Sequence, residues 1–475
     1  MAQIFKSVDD LEQAIARDFA YINYPPDNWV KPVTGASGQA VLDVAVIGGG
    51  ACGLAASFGL IQEGIRNIRI FDGNPEGQEG PWVTTARMKT LRSPKHLTGP
   101  HMGFPHLTFR AWFEAAYGTD AWEGLDKIPR EMWMAYLIWY RKVLALPVEN
   151  EKTLVSIDPK PDYFELTFDI PGEKETVFAR HVVLATGRAA SGGVYIPKIA
   201  ESLPAERFAH TEDDFDYSRL KDQKVLVIGG AASAADSAAT ALEAGAAEVH
   251  MLMRAERMPQ LNKFKSISYP GFLRGFSSLP PADRWQFLKH GFDARVAAPR
   301  SSMLRLKAFD NFHLHLGSPV DRFSLSVNEV QAHVPSGDIS GDFVIFGTGY
   351  AMDLEAQPEL AVFAKSCLLW RDVFVPDGAM EDRTLEQYPY LGDGFEFLEK
   401  QEGQAPFLSR LHLFNAATTM THAPISSDIP GVNTGAARLV DHISKALFVA
   451  GAAAHFADFH AYAEPELLGD EWREK

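Results

Sequence analysis

The sequence has 475 residues, 46% of them hydrophobic, and a formal net charge of −16 at pH 7. A chain of this size can bury two or three sizeable cores, and its acidic surface would repel a phosphate backbone, so nucleic acid is excluded as an expected partner. With only Cys52 and Cys367 present, it can build no disulfide framework, cysteine-rich metal site or CxxC dithiol pair.

The first segment, MAQIFKSVDDLEQAIARDF, is charged and amphipathic, unlike a signal peptide. A loop follows, signalled by Pro25-Pro26-Asp27-Asn28 and Gly35-Ala-Ser-Gly38. Val41–Ile47 reads as a buried strand, Gly48–Gly53 as a glycine turn, Leu54–Glu63 as a helix and Asn67–Phe71 as a second strand, which makes a β-α-β unit. Residues 105–145 read as helical and aromatic-rich. Shorter strands follow at Lys152–Ile157, Tyr163–Phe168 and Thr176–Leu184, the last running into Ala185-Thr186-Gly187. A second β-α-β unit starts at Lys224, and Phe343–Phe346 leads into Gly347-Thr348-Gly349. The best apolar run near the C-terminus, Ala446–Ala454, is too short to span a bilayer. The order predicts an α/β fold with two Rossmann-like dinucleotide-binding domains, the second inserted into the first. A cytoplasmic location without a membrane partner is the expectation, and a homo-oligomer is compatible with the sequence.

In the first unit, Gly48 permits the tight turn, Gly50 lets the backbone approach a pyrophosphate, and Gly53 lets the helix pack on the strand, with Cys52 between them. The pyrophosphate would sit at the positive end of the helix. Nineteen residues past Gly53, Asp72 ends the second strand, where a carboxylate can accept hydrogen bonds from a ribose. The second unit, Gly229-Gly230-Ala231-Ala232-Ser233-Ala234, repeats the pattern with Ala231 in place of the middle glycine, which predicts a looser or shifted pyrophosphate. Arg254 stands where the ribose-binding acid would be. A cation there suits a 2′-phosphate, hence NADPH over NADH.

These motifs, with Gly80-Pro81-Trp82, Ala185-Thr186-Gly187 and Gly347-Thr348-Gly349-Tyr350, resemble the class B flavoprotein monooxygenases, in order over about residues 41–445. That group holds the flavin-containing, Baeyer–Villiger and N-hydroxylating enzymes. The resemblance implies an FAD-binding domain in two parts, residues 41–190 and 340–475 with the C-terminal helices, after an N-terminal extension at 1–40. The NAD(P)-binding domain, 191–339, is inserted between the parts. Implied cofactor contacts are Gly48, Gly50, Cys52, Gly53, Asp72, Trp82, Thr186 and Gly187 for FAD, and Gly229, Ser233, Ala234 and Arg254 for NADPH. Gly349 and Asn433 complete the cofactor set. Around His210 the linker signature departs from the flavin-containing and Baeyer–Villiger subgroups, since Pro204, Glu206 and Asp214 replace its Phe, Gly and aromatic residue. Arg92, within Thr90–Lys95, falls where flavin-containing monooxygenases carry a flavin-facing Asn. Arg92 or Lys95 is therefore the candidate catalytic cation, orienting a peroxide or binding an acidic substrate.

Other signals admit two readings. Trp112, Trp122, Trp133 and Trp139 wall a substrate pocket or fill the core. The segment Ser426–Gly435 lies against the isoalloxazine, as the resemblance implies, or is a plain helix start capped by Asn433 or Thr434. His313 and His315 would share a strand face, and with no further ligand nearby in sequence no metal site is expected. The resemblance implies a monooxygenase that transfers one oxygen atom from O2 through a C4a-(hydro)peroxyflavin to a small organic molecule, with amine or sulfur favoured and ketone next. The alternatives are an FAD-dependent NAD(P)H dehydrogenase or oxidase, and a dinucleotide sensor without turnover.

Overall fold

The computed structural model describes residues 5–326 and 329–472. The strands, in chain order, are β1 Leu42–Ile47, β2 Ile68–Phe71, β3 Val148–Glu149, β4 Thr153–Pro159, β5 Phe164–Ile170, β6 Glu173–Leu184, β7 Phe208–His210, β8 Lys224–Ile228, β9 Glu248–Leu252, β10 Phe312–His315, β11 Arg322–Ser326, β12 Glu329–Val334, β13 Gly337–Gly341, β14 Phe343–Phe346 and β15 Leu411–Leu413. The first sheet runs β3-β2-β1-β6-β5-β4, with β15 also on β6. The long β6 serves two partners on one side. Glu173–Ala179 pairs antiparallel with β5, and Val182–Leu184 pairs parallel with β15.

The second sheet, β10-β9-β8-β14-β7, is wholly parallel, and β11-β12-β13 form a separate antiparallel sheet. After β14 the chain returns to the first sheet at β15, so the second nucleotide-type unit is inserted into the first, as the order of motifs predicts. Parallel strands buried on both faces need continuous apolar runs, and Val-Leu-Val-Ile of β8 and Val-Ala-Val-Ile of β1 supply them.

The core extends beyond what the motifs predict. Phe272, Leu273, Phe276, Trp285 and Leu288 lie between β9 and β10 in sequence, yet they pack into the core of the first unit beside Trp370 and Phe395. Trp112, Trp122, Trp133 and Trp139 are at most 7% exposed and belong to that same core, so they do not wall an open pocket. The long C-terminal helix runs Val432–Ala450, with Gly431 at its cap position and no side-chain cap. Neither Asn433 nor Thr434 caps it. No described helix is long and apolar enough to cross a membrane.

Candidate active site

Each strand–turn–helix unit places its glycine turn at the C-terminal ends of parallel strands. Gly48 has φ +110°, and a Cβ there would strike Ala185 O. A Cβ at Gly53 would strike Gly48 O. Gly50 is different: at φ −72°, ψ −179° its conformation suits any residue, and no heavy atom lies within 4 Å of where its Cβ would be. The space in front of the helix N-terminus is therefore open at a glycine that neither backbone conformation nor the protein's own packing requires, which fits a close-approaching pyrophosphate.

Asp72 is 6% exposed and accepts from Gly49 N at 2.8 Å, Asn74 N at 2.8 Å and Asn74 Nδ2 at 3.0 Å. It fixes the turn before any ligand is considered. Beside it, buried Glu79 accepts from Arg141 Nη1 and Asn150 Nδ2, each at 2.7 Å, and from Gly77 N at 2.9 Å. No motif pointed to this second carboxylate. Cys52 Sγ donates to Ser426 O at 3.2 Å, and burial pushes its thiol up to about 12. Trp82 packs edge-on against Trp133 with centroids 6.1 Å apart, and its carbonyl accepts from Arg130 Nη1 at 2.6 Å.

The second turn repeats the first with methyl groups exchanged. Gly229 has φ +128°, and a Cβ there would strike Gly347 O. Ala231 has φ −87°, ψ −173°, the extended cap conformation that Gly50 adopts, and is exposed. The turn itself is thus undistorted by alanine, whose methyl only projects into the space before the helix. Where the first unit has Gly53 opposite Ala185, the second has Ala234 opposite Gly347, and a Cβ on Gly347 would clash with the Ala234 methyl. The small and smaller partners have exchanged places between the helix and the end of the facing strand. Ser233 is exposed at this helix end, and Arg254, just past β9, is exposed with no ion pair among the described residues.

The C-terminal ends of β6 and β14 are stitched together. Val194 bridges Tyr350, Tyr195 N donates to Gly349 O at 2.9 Å, and Asp353 N donates to Ser191 O at 2.9 Å. Gly187 and Gly349 take matching left-handed conformations, φ +82° and +84°. Thr186 Oγ1 accepts from Asn415 Nδ2 at 3.2 Å. Charged side chains from both units meet around this seam. Arg188 pairs with Asp428 at 3.4 Å, and Tyr350 OH donates to Glu212 at 2.7 Å, with burial and that carboxylate raising the phenol.

Arg92 lies 3.5 Å from Asp236, a 2% exposed carboxylate in the helix Ala232–Glu243 that also holds Arg305 at 3.2 Å and Ser302 Oγ. Two guanidiniums share one carboxylate, so the half-exposed Arg92 keeps donors to spare. Lys95 is committed elsewhere: its Nζ donates to Trp122 O at 2.7 Å and lies over that indole at 5.0 Å. Asn433 accepts from Met102 N at 2.9 Å and donates to Gly99 O at 2.8 Å, so its amide pins the 99–102 segment to the C-terminal helix. Sequence reasoning missed Arg188, Glu212, Asp236, Tyr350 and Asp428 as site residues, because their pairings join distant segments.

Comparisons with known proteins bear on this geometry. Residues 45–270 match the family model described as pyridine nucleotide-disulphide oxidoreductase. The FAD-dependent urate hydroxylase of Xanthomonas campestris pv. campestris is 35% identical over 466 residues, covering 98% of each chain. Ornithine hydroxylase PvdA from Pseudomonas aeruginosa superposes with a TM-score of 0.68 at 15% identity, over 86% of this chain and 100% of that one. Ornithine N-hydroxylase KtzI from Kutzneria sp. 744, solved with reduced FAD, NADP+ and L-ornithine, gives 0.64 at 17%, over 86% and 99%. The two solved structures share the fold, and the near full-length relationship to the urate hydroxylase is one of sequence. By that relationship the chain belongs to the FAD-dependent hydroxylases of the class B flavoprotein monooxygenase family.

Proposed function

We propose that this enzyme uses NADPH and O2 to hydroxylate a small, planar, acidic heterocycle of the urate kind. The carrying observation is Arg92, a half-exposed guanidinium at the seam that shares its ion-pair partner Asp236 with Arg305. A planar anion with adjacent acceptor atoms is what a guanidinium fork recognises best. The 35% identity to a urate hydroxylase supports the same substrate class.

In this reading the turn at Gly48–Gly53 holds FAD and the turn at Gly229–Ala234 holds NADPH. The flavin supplies the activation of O2 once bound and reduced. The chain's own part is to position: Asp236 holds Arg92, the stitched ends of β6 and β14 hold the two turns in register, and the surrounding apolar core limits water. Thiol chemistry has no support. Cys52 and Cys367 are both free, and burial pushes each thiol up to about 12. We place the enzyme in the cytoplasm, where free thiols persist.

Urate should stimulate NADPH oxidation and leave with one labelled atom from isotopic O2. Arg92→Ala should raise KM for urate at least about tenfold, the scale of one charge-assisted contact. Amines, thioethers and ketones tested in the same assay define the competing substrate classes. Stimulation by one of those and not by urate would remove the heterocycle. If all electrons appear as H2O2 with every compound, the oxidase alternative is correct.

Arg254 yields a separate expectation. One charge-assisted hydrogen bond to a 2′-phosphate contributes about 1.5–3 kcal/mol. Arg254→Ala should therefore erode the preference for NADPH over NADH by roughly ten- to a hundredfold. The test is KM for both cofactors in wild type and variant, and equal use of both by wild type would remove Arg254 from the site.

A further inference from the structure

On the far edge of the second sheet, β10 brings two histidines against β9. His313 is in register with His250, and their rings stack at 4.6 Å. His315 Nε2 lies 3.0 Å from His250 Nδ1, and Glu248 Oε2 lies 3.1 Å from His250 Nε2. Residues 248 and 250 share one face of β9, as 313 and 315 share one face of β10, because side chains alternate along a strand. The expectation of an ordinary strand face considered only ligands near in sequence. The parallel register supplies the rest from a strand more than sixty residues away.

We propose that Glu248, His250 and His313, oriented by His315, form a binding site for one divalent transition-metal ion, with Zn2+ the best chemical match. One ligand atom from each of the three lies within 4.8 Å of the others. Zinc with nitrogen and oxygen ligands needs bonds of about 2.0–2.2 Å, so ligand atoms roughly 3.3 Å apart, which small side-chain rotations reach. Two imidazoles and a carboxylate leave one position for water on the exposed His313 side.

Without metal, His250 donates from Nε2 to Glu248, the acceptor-only partner, and accepts at Nδ1 from His315 Nε2–H. With the ion on Nε2, the His250 proton sits on Nδ1, where His315 Nε2 accepts it, and His315 carries its own proton on Nδ1. Both rings stay neutral and no proton is gained or lost. This is the outer hydrogen bond that metal-bound histidines use to fix their orientation. The bound ion would fasten the edge strand β10 to β9, the strand that ends just before Arg254.

Calorimetry of the flavin-loaded, chelator-treated protein with ZnCl2 tests this, with Co2+ absorption as a second readout of ligand geometry. Wild type should bind one equivalent and gain thermal stability. His313→Ala, at an exposed position, should abolish both, and His315→Ala should weaken binding about 10- to 100-fold. His333→Ala, on β12 beside Asp338, should change nothing. Absence of stoichiometric binding in wild type would overturn the proposal, as would full binding in His313→Ala. Loss of binding only in His442→Ala would also overturn it, by moving the ion to the second cluster, Glu396, His412 and His442.

Discussion

A Gly50→Val protein should fold, purify in normal yield and carry no flavin. The backbone at Gly50 is extended, and nothing within 4 Å would meet a new Cβ, so the protein alone tolerates valine. The branched side chain would fill the open space before the helix Ala51–Gln62 where a pyrophosphate must approach. We expect FAD affinity to fall at least a hundredfold, about 2.7 kcal/mol, with an unchanged thermal melt of the apoprotein. Gly53→Val makes the opposite prediction. Its Cβ would strike Gly48 O, so strand and helix could not pack and folding itself should fail. Visible absorbance at the flavin band, set against circular dichroism melts, separates the two effects. Full flavin content in Gly50→Val would mean that the first turn does not hold the pyrophosphate.

The contrast between those glycines also explains what the sequence made readable. The two turns could be located because Gly48, Gly53 and Gly229 answer to local geometry, and local geometry survives as spacing. The alanine substitutions in the second turn could not be interpreted from spacing alone. Ala234 is accommodated because residue 347, just past β14, is glycine, and Ala231 leaves the turn intact because its conformation never required glycine. Side chains whose partners are distant in the chain were invisible for the same reason. Asp236 meets Arg305 69 residues on, and His250 meets His315 65 residues on. The strands β11–β13 were missed although Glu329–Val334 alternates intermediate and buried positions, a pattern short enough to pass for a loop. No motif covers Phe272 and Trp285, and periodicity cannot say which core receives them. Asn433 stands at a helix start that the sequence leaves open between a cap and a place against the isoalloxazine; it does not cap the helix, and its amide holds the 99–102 segment.

Asp236→Ala should destabilise the protein by about 3 kcal/mol and divert electrons from product to H2O2. The carboxylate is 2% exposed and faces Arg305 and Arg92, with Ser302 as a further donor. Removing one partner of a buried ion pair leaves the other desolvated and uncompensated, which costs about 3–5 kcal/mol. Glu243, two turns further along the same face of the helix, holds Lys89 at 2.8 Å and Arg305 at 2.9 Å, but its side chain is 30% exposed. Water can replace those contacts, so Glu243→Ala should cost less than about 1 kcal/mol. The functional difference follows from position. Asp236 lies in the helix that opens from the second turn, and Arg92 reaches it from the segment that leads towards Lys95 in the first unit. With the more exposed pair of Arg87 and Asp214 at 3.3 Å, this latch joins the segment before Lys95 to the second unit. Loosened, it should admit water to the seam, raise KM for NADPH and lower the fraction of NADPH that yields hydroxylated product. Asp236→Asn keeps an acceptor for Ser302 without the charge and should fall between the other two variants. Denaturant unfolding gives the stability term, and peroxide yield per NADPH gives the coupling. Equal stability and coupling in Asp236→Ala and Glu243→Ala would reduce Asp236 to one more surface ion pair.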